Sequence, residues 1–294
     1  MKIKQIAKIH GGQDGAIFGD FLFRFNHQGE CFVYDLKTVG EDPEKELPQF
    51  SSFVLDGVEK LKPHSNSVAF GSEYAEEGDE FPLLYANIYN NHAGMKNPLK
   101  GVTLVYRVVR QGTAFTTSLL QMIEIGFAED VDSWRSYPQI GDVRPYGNFA
   151  IDTQNDIYYA FTMRDKSQTT RYFSFKMPKL SDGVYDKEYG IRRVVLNKSD
   201  LLGSFDCPYQ HYIQGACFYG GYVFSAEGFT DNADNLPAMR VINPESRQEV
   251  LFVDLIAMGF AIEPEMVDFH GNMCYYSDFD GNLFAVDFGT DLNL

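Results

Sequence analysis

Tryptophan occurs once in the 294 residues and cysteine four times. Cys31, Cys207, Cys217 and Cys274 make no Cys-x-x-Cys pair, and three of them sit in apolar runs (ECFVY, GACFY, NMCYY). They read as buried free thiols, which fits a cytoplasmic location. Basic residues are also scarce. Lys and Arg number 25 against 41 Asp and Glu, for a formal net charge of −16. Such a surface repels phosphate backbones and argues against nucleic acid as a partner. It disfavours anionic membranes for the same reason and favours neutral or cationic small ligands. Nowhere do about 18 apolar residues run together, so no transmembrane helix is expected. The N-terminal MKIKQIAKIHGG has neither the apolar stretch nor the small-residue cleavage site of a secretory leader. The sequence contains no GxSxG, P-loop, GxGxxG, HxH or HExxH pattern. The cofactor is left unassigned, and spacing alone assembles no Ser-His-Asp set.

Aromatics and turn formers are abundant. There are 25 Phe, 18 Tyr, 26 Gly and 12 Pro, with 44% hydrophobic residues overall. Aromatics favour strands, and frequent Gly and Pro punctuate short ones, so the class is all-β. A repeat organises them. Five segments share one order: a polar residue, a short apolar strand, a turn containing Gly, Asn or Asp, and a second apolar strand. They are QDGAIFGDFLFRFN, SNSVAFGSEY…LLYANIY, GNFAIDTQNDIYYAFT, IQGACFYGGYVFSAE and PEMVDFHGNMCYYSD. Each is followed by a third strand (ECFVYDL, GVTLVYRVV, RYFSFKMP, AMRVINP, NLFAVDF). Four are followed by a fourth (FSSFVL, SLLQMIEI, IRRVVL, EVLFVDLI).

The last repeat has no fourth strand, yet the chain starts with a spare one, KIKQIAKI. Radially arranged four-stranded sheets make a β-propeller. The expected fold is a five-bladed propeller formed by residues 1–294 as a single domain, with Lys2–Ile9 pairing against 282–287 and removing two sheet edges. A β-sandwich of similar strand count is the alternative. The long second repeat has room for a sixth blade, but residues 126–142 read as a polar loop.

In a propeller the first strand of each blade lines the central channel. The leading polar residues Asp14, Asn66, Asn148, Gln214 and Glu265 are therefore expected around one channel mouth, as ligand contacts or as groups that cap loops and hold water. Just ahead of them lie His10, His64, Tyr146, His211 and Glu263. Imidazole and carboxylate suit a divalent metal, but the spacing supports hydrogen bonding to loops or ligand, and no metal site is assigned. Trp134, in the loop GFAEDVDSWRSYPQIGD, is a candidate stacking platform for a sugar. The stretch SDFDGN lacks the further ligands of a calcium loop and reads as a turn.

The run YIQGACFYGGYVFSAEG (212–228) resembles a blade motif of the plant and bacterial glutamine cyclotransferases. Gln214 and Gly215 match that motif by type and place. Ser225 stands where the family carries a glutamate, and Glu227 follows two residues later. The family uses several pocket tryptophans. The resemblance implies a five-bladed propeller.

The function expected is binding of a small ligand, a carbohydrate by its chemistry, at the channel mouth, with catalysis not established. Asn66, Asn148, Gln214, His64, His211, Tyr146, Trp134 and Glu227 are the candidate ligand contacts. One alternative is a glycoside-hydrolase-type enzyme using Asp14 and Glu265, which would be brought together when blades 1 and 5 close. There Glu265, beside Pro264 and Met266, would hold its proton, and Asp14 would stay ionised. Another is a protein-interaction scaffold. Oligomeric state is not indicated.

Overall fold

The computed structural model describes residues 1–88, 99, 101–127, 148–164, 167–210, 212–232 and 234–292. The strands, in chain order, begin with β1 (Lys2–Lys8). Blade 1 follows with β2 (Gly15–Phe18), β3 (Phe21–Phe25), β4 (Glu30–Asp35) and β5 (Gln49–Val54). Next come β6 (Val68–Phe70), β7 (Leu84–Ile88), β8 (Val102–Gln111) and β9 (Ala114–Ile125) of blade 2. Blade 3 opens with β10 (Asn148–Asp152), β11 (Ile157–Arg164) and β12 (Thr169–Lys176). After it run β13 (Val184–Asp186), β14 (Ile191–Leu196) and β15 (Leu201–Pro208). Blade 4 is β16 (Ile213–Tyr219), β17 (Tyr222–Glu227), β18 (Ala238–Asn243) and β19 (Gln248–Asp254). Blade 5 is β20 (Pro264–His270), β21 (Met273–Asp278) and β22 (Asn282–Asp287).

These strands form five sheets, and the protein is a five-bladed β-propeller. Closure follows from the ends of the chain. The first strand, β1, pairs antiparallel with β22, Lys2 opposite Asp287 and Lys8 opposite Asn282, and becomes the fourth strand of blade 5. The β16–β17 hairpin shows how local sequence makes a blade. Gly220 and Gly221 both take positive φ (58° and 89°), the conformation a two-residue hairpin turn demands and a side chain resists. The flanking Tyr219 and Tyr222 then pair.

The apolar residues fill five cores, each between consecutive blades. Between blades 1 and 2 the core is phenylalanine. The ring of Phe23 lies 5.1, 5.5 and 5.6 Å from those of Phe70, Phe81 and Phe115, all edge-on. Edge-to-face packing puts the positive ring edge on the negative face and adds to area burial. The four cysteines are free and buried. Burial pushes the Cys207 thiol up to about 12. No helix among the described residues is long and apolar enough to cross a membrane.

One strand departs from the repeat. IRRVVL is expected as the fourth strand of blade 3. Instead β14 leaves that blade and pairs in parallel with β9, and β13 folds back on β14, so blade 2 has six strands. The fourth strand of blade 3 is LLGSFDCP, β15, antiparallel to β12. Two features permit this. β9 is 12 residues long and offers a long outer edge. The alternation of β14 buries Ile191, Val194 and Leu196, which join the cores on either side of blade 2.

Candidate functional site

Side chains at and just ahead of the innermost strands bond each blade to the next. Asp14, in the turn into β2, accepts from the backbone N–H of Val68 in blade 2 through Oδ2, at 2.9 Å. Ser67 Oγ, beside Asn66, accepts from the Phe149 N–H of blade 3 at 3.4 Å. The Asn148 amide donates to the Ile213 carbonyl of blade 4 at 2.7 Å. Gln214 donates from Nε2 to Glu263 Oε1 of blade 5 and to the Gly228 carbonyl. Gln13 of blade 1 donates to Glu265 Oε1 at 3.3 Å and completes the circuit. Asn66 is held within its own blade, its Oδ1 accepting from the Asn87 amide, while Asn87 Oδ1 accepts from the Ser67 N–H. Each blade interface at this end is therefore stitched by a side chain.

The ring is tight. A Cβ added at Gly215 would lie 2.7 Å from Asp14 Oδ1 and would also strike the Glu265 carbonyl. A glycine at this place lets β16 approach blades 5 and 1 together.

The charges at the blade 5–blade 1 seam are uneven. Arg24, on β3, is completely buried, and its Nη2 donates to two main-chain carbonyls, Gly12 at 2.8 Å and Asp278 at 3.1 Å. Burial pulls its pKa down, while Glu265, Asp14 and Asp278 hold it up. Among the described residues Arg24 Nε and Nη1, Asp14 Oδ1 and Glu265 Oε2 are buried and have no hydrogen-bond partner. Burial pushes Asp14 well above the usual carboxylate range against the N–H groups of Val68 and Gly15, with Asp268 adding to the rise and Arg24 opposing it. Glu265 rises for the same first reason, reinforced by Glu263 and opposed by Arg24. Glu263, at the rim, is raised by burial to about 7 even though Gln214 donates to it. Deeper along β20, Asp268 is raised by burial to about 7 while accepting from the Ile17 N–H at 2.6 Å. Burial raises both Asp14 and Glu265, so these directions do not single out either one as the acid of the pair.

The other candidate residues divide. His64 is buried, its N–H donating to the Asn87 carbonyl at 3.2 Å in the turn that leads to Asn66. His10 is exposed and stacks on Phe32, ring centroids 3.9 Å apart. Glu227 takes two donors from the buried Arg240 on Oε1, at 2.7 and 3.1 Å, and Arg240 also pairs with Glu249. That ion pair lies beside Tyr172 and the Tyr209–Gln210 turn. Trp134, Tyr146 and His211 lie outside the described residues. No group of three or more His, Cys, Asp or Glu suited to a metal occurs among the described residues. A separate concavity of about 600 Å3, lined by Val184, Tyr185, Arg193 and Val195 among others, lies on the outer extension of blade 2.

Arg24 and Asn87 are the site residues that sequence reasoning misses. Each sits inside a strand, FLFRF and LLYANIY, where one polar residue is masked by its apolar neighbours. A fully apolar run broken by one Arg was the available signal, since an unpaired buried charge is costly.

No family model matches the chain, and no curated protein matches it. Among solved structures it is similar to the glutaminyl cyclase of Myxococcus xanthus, with 10% identity over 98% of this chain and 96% of that one, and a TM-score of 0.49. It is also similar to the Cps50 (Swd1) β-propeller domain of Myceliophteria thermophila, with 9% identity over 92% and 82% of the two chains and a TM-score of 0.37. For Sqt1 of Saccharomyces cerevisiae the identity is 7% over 90% and 54%, with a TM-score of 0.36. None of these likenesses bears on what this chain binds.

Proposed function

We propose that the chain binds a small hydroxyl-rich ligand, a carbohydrate, at the end of the propeller where Asp14, Asn66, Asn148, Gln214 and Glu265 meet. The reading is carried by the bonding capacity left over once the ring is stitched. Asp14 Oδ1, Glu265 Oε2 and Arg24 Nε and Nη1 are buried without partners among the described residues. Buried polar groups are normally satisfied, and leaving one unmade costs about 1–3 kcal/mol. A hydroxyl both donates and accepts, so one sugar can serve a carboxylate oxygen and a guanidinium N–H together. In this reading Trp134, Tyr146, His64 and His211 contribute further contacts, with Trp134 stacking on the ring. Glu227 acts from behind, its ion pair with Arg240 fixing the Tyr209–Gln210 turn.

Glycoside hydrolysis by Asp14 and Glu265 is the second reading: that chemistry needs one protonated and one ionised carboxyl, and burial raises both without setting one above the other. The test is calorimetric titration of neutral mono- and disaccharides into the wild type, Asp14→Asn and Glu265→Gln. Saturable binding that weakens by about tenfold or more in each variant is expected, the scale of a charge-assisted hydrogen bond. Absence of binding to the wild type at millimolar sugar, or variants that bind as well as the wild type, would overturn the reading.

A further inference from the structure

We propose that the ligand is a cationic amino sugar whose ammonium group is held by Glu263 and Glu265, where blade 5 meets blades 4 and 1. The inference rests on the reading of the channel mouth as a carbohydrate site and adds the charge of its occupant.

Two carboxyl groups stand together here, each gripped from a different neighbouring blade. Gln214 of blade 4 donates to Glu263 Oε1, and Gln13 of blade 1 donates to Glu265 Oε1. Each amide engages one carboxylate oxygen and supplies no charge. The second oxygen of Glu265 is buried, in a residue only 2% exposed, and no described residue donates to it. Glu263 is the rim member of the pair and is only partly buried.

The charged groups that bear on this corner come from every packed element. They are Glu263 and Glu265 from blade 5, Asp14 from the turn into β2, Asp278 from the end of β21, and Arg24 from β3. Arg24 is the sole cation in that set, and its Nη2 is spent on the carbonyls of Gly12 and Asp278. Among the described residues Arg24 forms no ion pair with any carboxylate. Four acids therefore share one guanidinium, which meets Asp278 only through its main-chain carbonyl and pairs with none of the four side-chain carboxyls among the described residues.

Adjacent carboxylates in a buried place are stabilised by a proton or by a cation. Burial keeps a proton on Glu263 up to about 7. A ligand ammonium supplies the same neutralisation and three donors as well, which suits an acceptor-only pair. A neutral sugar leaves the like charges in place, and a uronic acid adds to them. Ammonium and proton thus compete for the same oxygens, so binding of the amine releases protons near pH 7 and weakens below it.

The experiment titrates D-glucosamine, N-acetyl-D-glucosamine and D-glucose into the full chain by calorimetry, just above and well below pH 7, in two buffers of different ionisation enthalpy. We expect glucosamine to bind about tenfold tighter than the two neutral sugars above pH 7, the scale of one hydrogen bond between charged partners. The preference disappears at the lower pH, and the buffer pair reports a net proton exchange on binding that shifts toward uptake in Glu263→Gln, which has no carboxyl proton to release. In Glu263→Gln, shown to be folded by circular dichroism, the affinity ratio of glucosamine to glucose collapses toward one. Equal binding of the three sugars overturns the charge assignment and leaves the carbohydrate reading intact. A glucosamine preference that survives in Glu263→Gln, or a net proton exchange that is the same in wild type and Glu263→Gln, removes these carboxylates as its source. Failure of all three sugars to bind overturns both.

Discussion

Glu263→Gln is expected to make the protein more stable at alkaline pH and to leave it nearly unchanged in acid. In the native protein burial raises the Glu263 carboxyl from 4.5 to about 7. A carboxyl raised on folding binds its proton more tightly in the native than in the unfolded state. Stability from that proton is fully present below the unfolded value and is lost as pH rises through the folded one. The full shift corresponds to about 3 kcal/mol at about 1.4 kcal/mol for each pH unit. Glu263 is partly open to solvent, and screening reduces this to about 1–2 kcal/mol. Glutamine is neutral throughout and keeps the shape of the protonated acid. The variant and the wild type should therefore unfold alike at about pH 4, and the variant should gain about 1–2 kcal/mol by about pH 8, or roughly 2–4 °C in melting temperature. Urea denaturation followed by circular dichroism across that range measures the difference directly. Asp268, raised to about 7 by burial, titrates in the same window in both proteins and cancels from the difference. A difference that is flat with pH, or a variant that loses ground as pH rises, would refute the reasoning.

Two further outcomes are expected. Gly215→Ala places a methyl group 2.7 Å from Asp14 Oδ1 and against the Glu265 carbonyl, and should cost about 2–4 kcal/mol in urea denaturation; wild-type stability would mean that the inner strands are not so closely drawn together. Removing β1, Lys2–Lys8, uncovers the outer edge of β22, so melting should fall on the order of 10 °C and the chain should self-associate further in size-exclusion chromatography; a melting temperature and elution position equal to those of the wild type would contradict the closure.

The blades are legible in the sequence because each inner strand must bury both faces between neighbours. That requirement writes apolar runs such as IQGACFY and PEMVDFH, each behind a single polar residue. Closure is legible for a related reason: an unmatched strand at one end complements a missing one at the other. Outer strands carry weaker marks. In β15 alternate residues face solvent, and Gly203 and Ser204 dilute the apolar signal, whereas IRRVVL carries a denser one and is drawn to the free edge of β9. Nothing in hydrophobic period distinguishes a strand that completes its own blade from one that joins the previous blade. At the site, where each innermost strand begins is readable from the repeat, but which side chain bridges to the next blade is not, as Ser67 and Gln13 show. The role of Arg24 is not, because its neighbours Glu265 and Asp278 are more than 240 residues away along the chain and meet it only when blades 5 and 1 close.

The reach of β14 back to β9 has a bearing on how the chain matures. Residues 191–196 must be made before the sheet containing 114–125 is finished, and residues 282–287 must be made before the first strand finds its partner. Pairings so distant in sequence are slow to form. A nascent chain therefore carries β1 without its β22 partner until residues 282–287 have been made. The β14 clasp shortens the other wait, tying the second and third blades into one unit while the last two are still emerging. Unfolding should meet the same clasp in reverse: once the terminal seam opens, blades 2 and 3 come apart together and not one at a time.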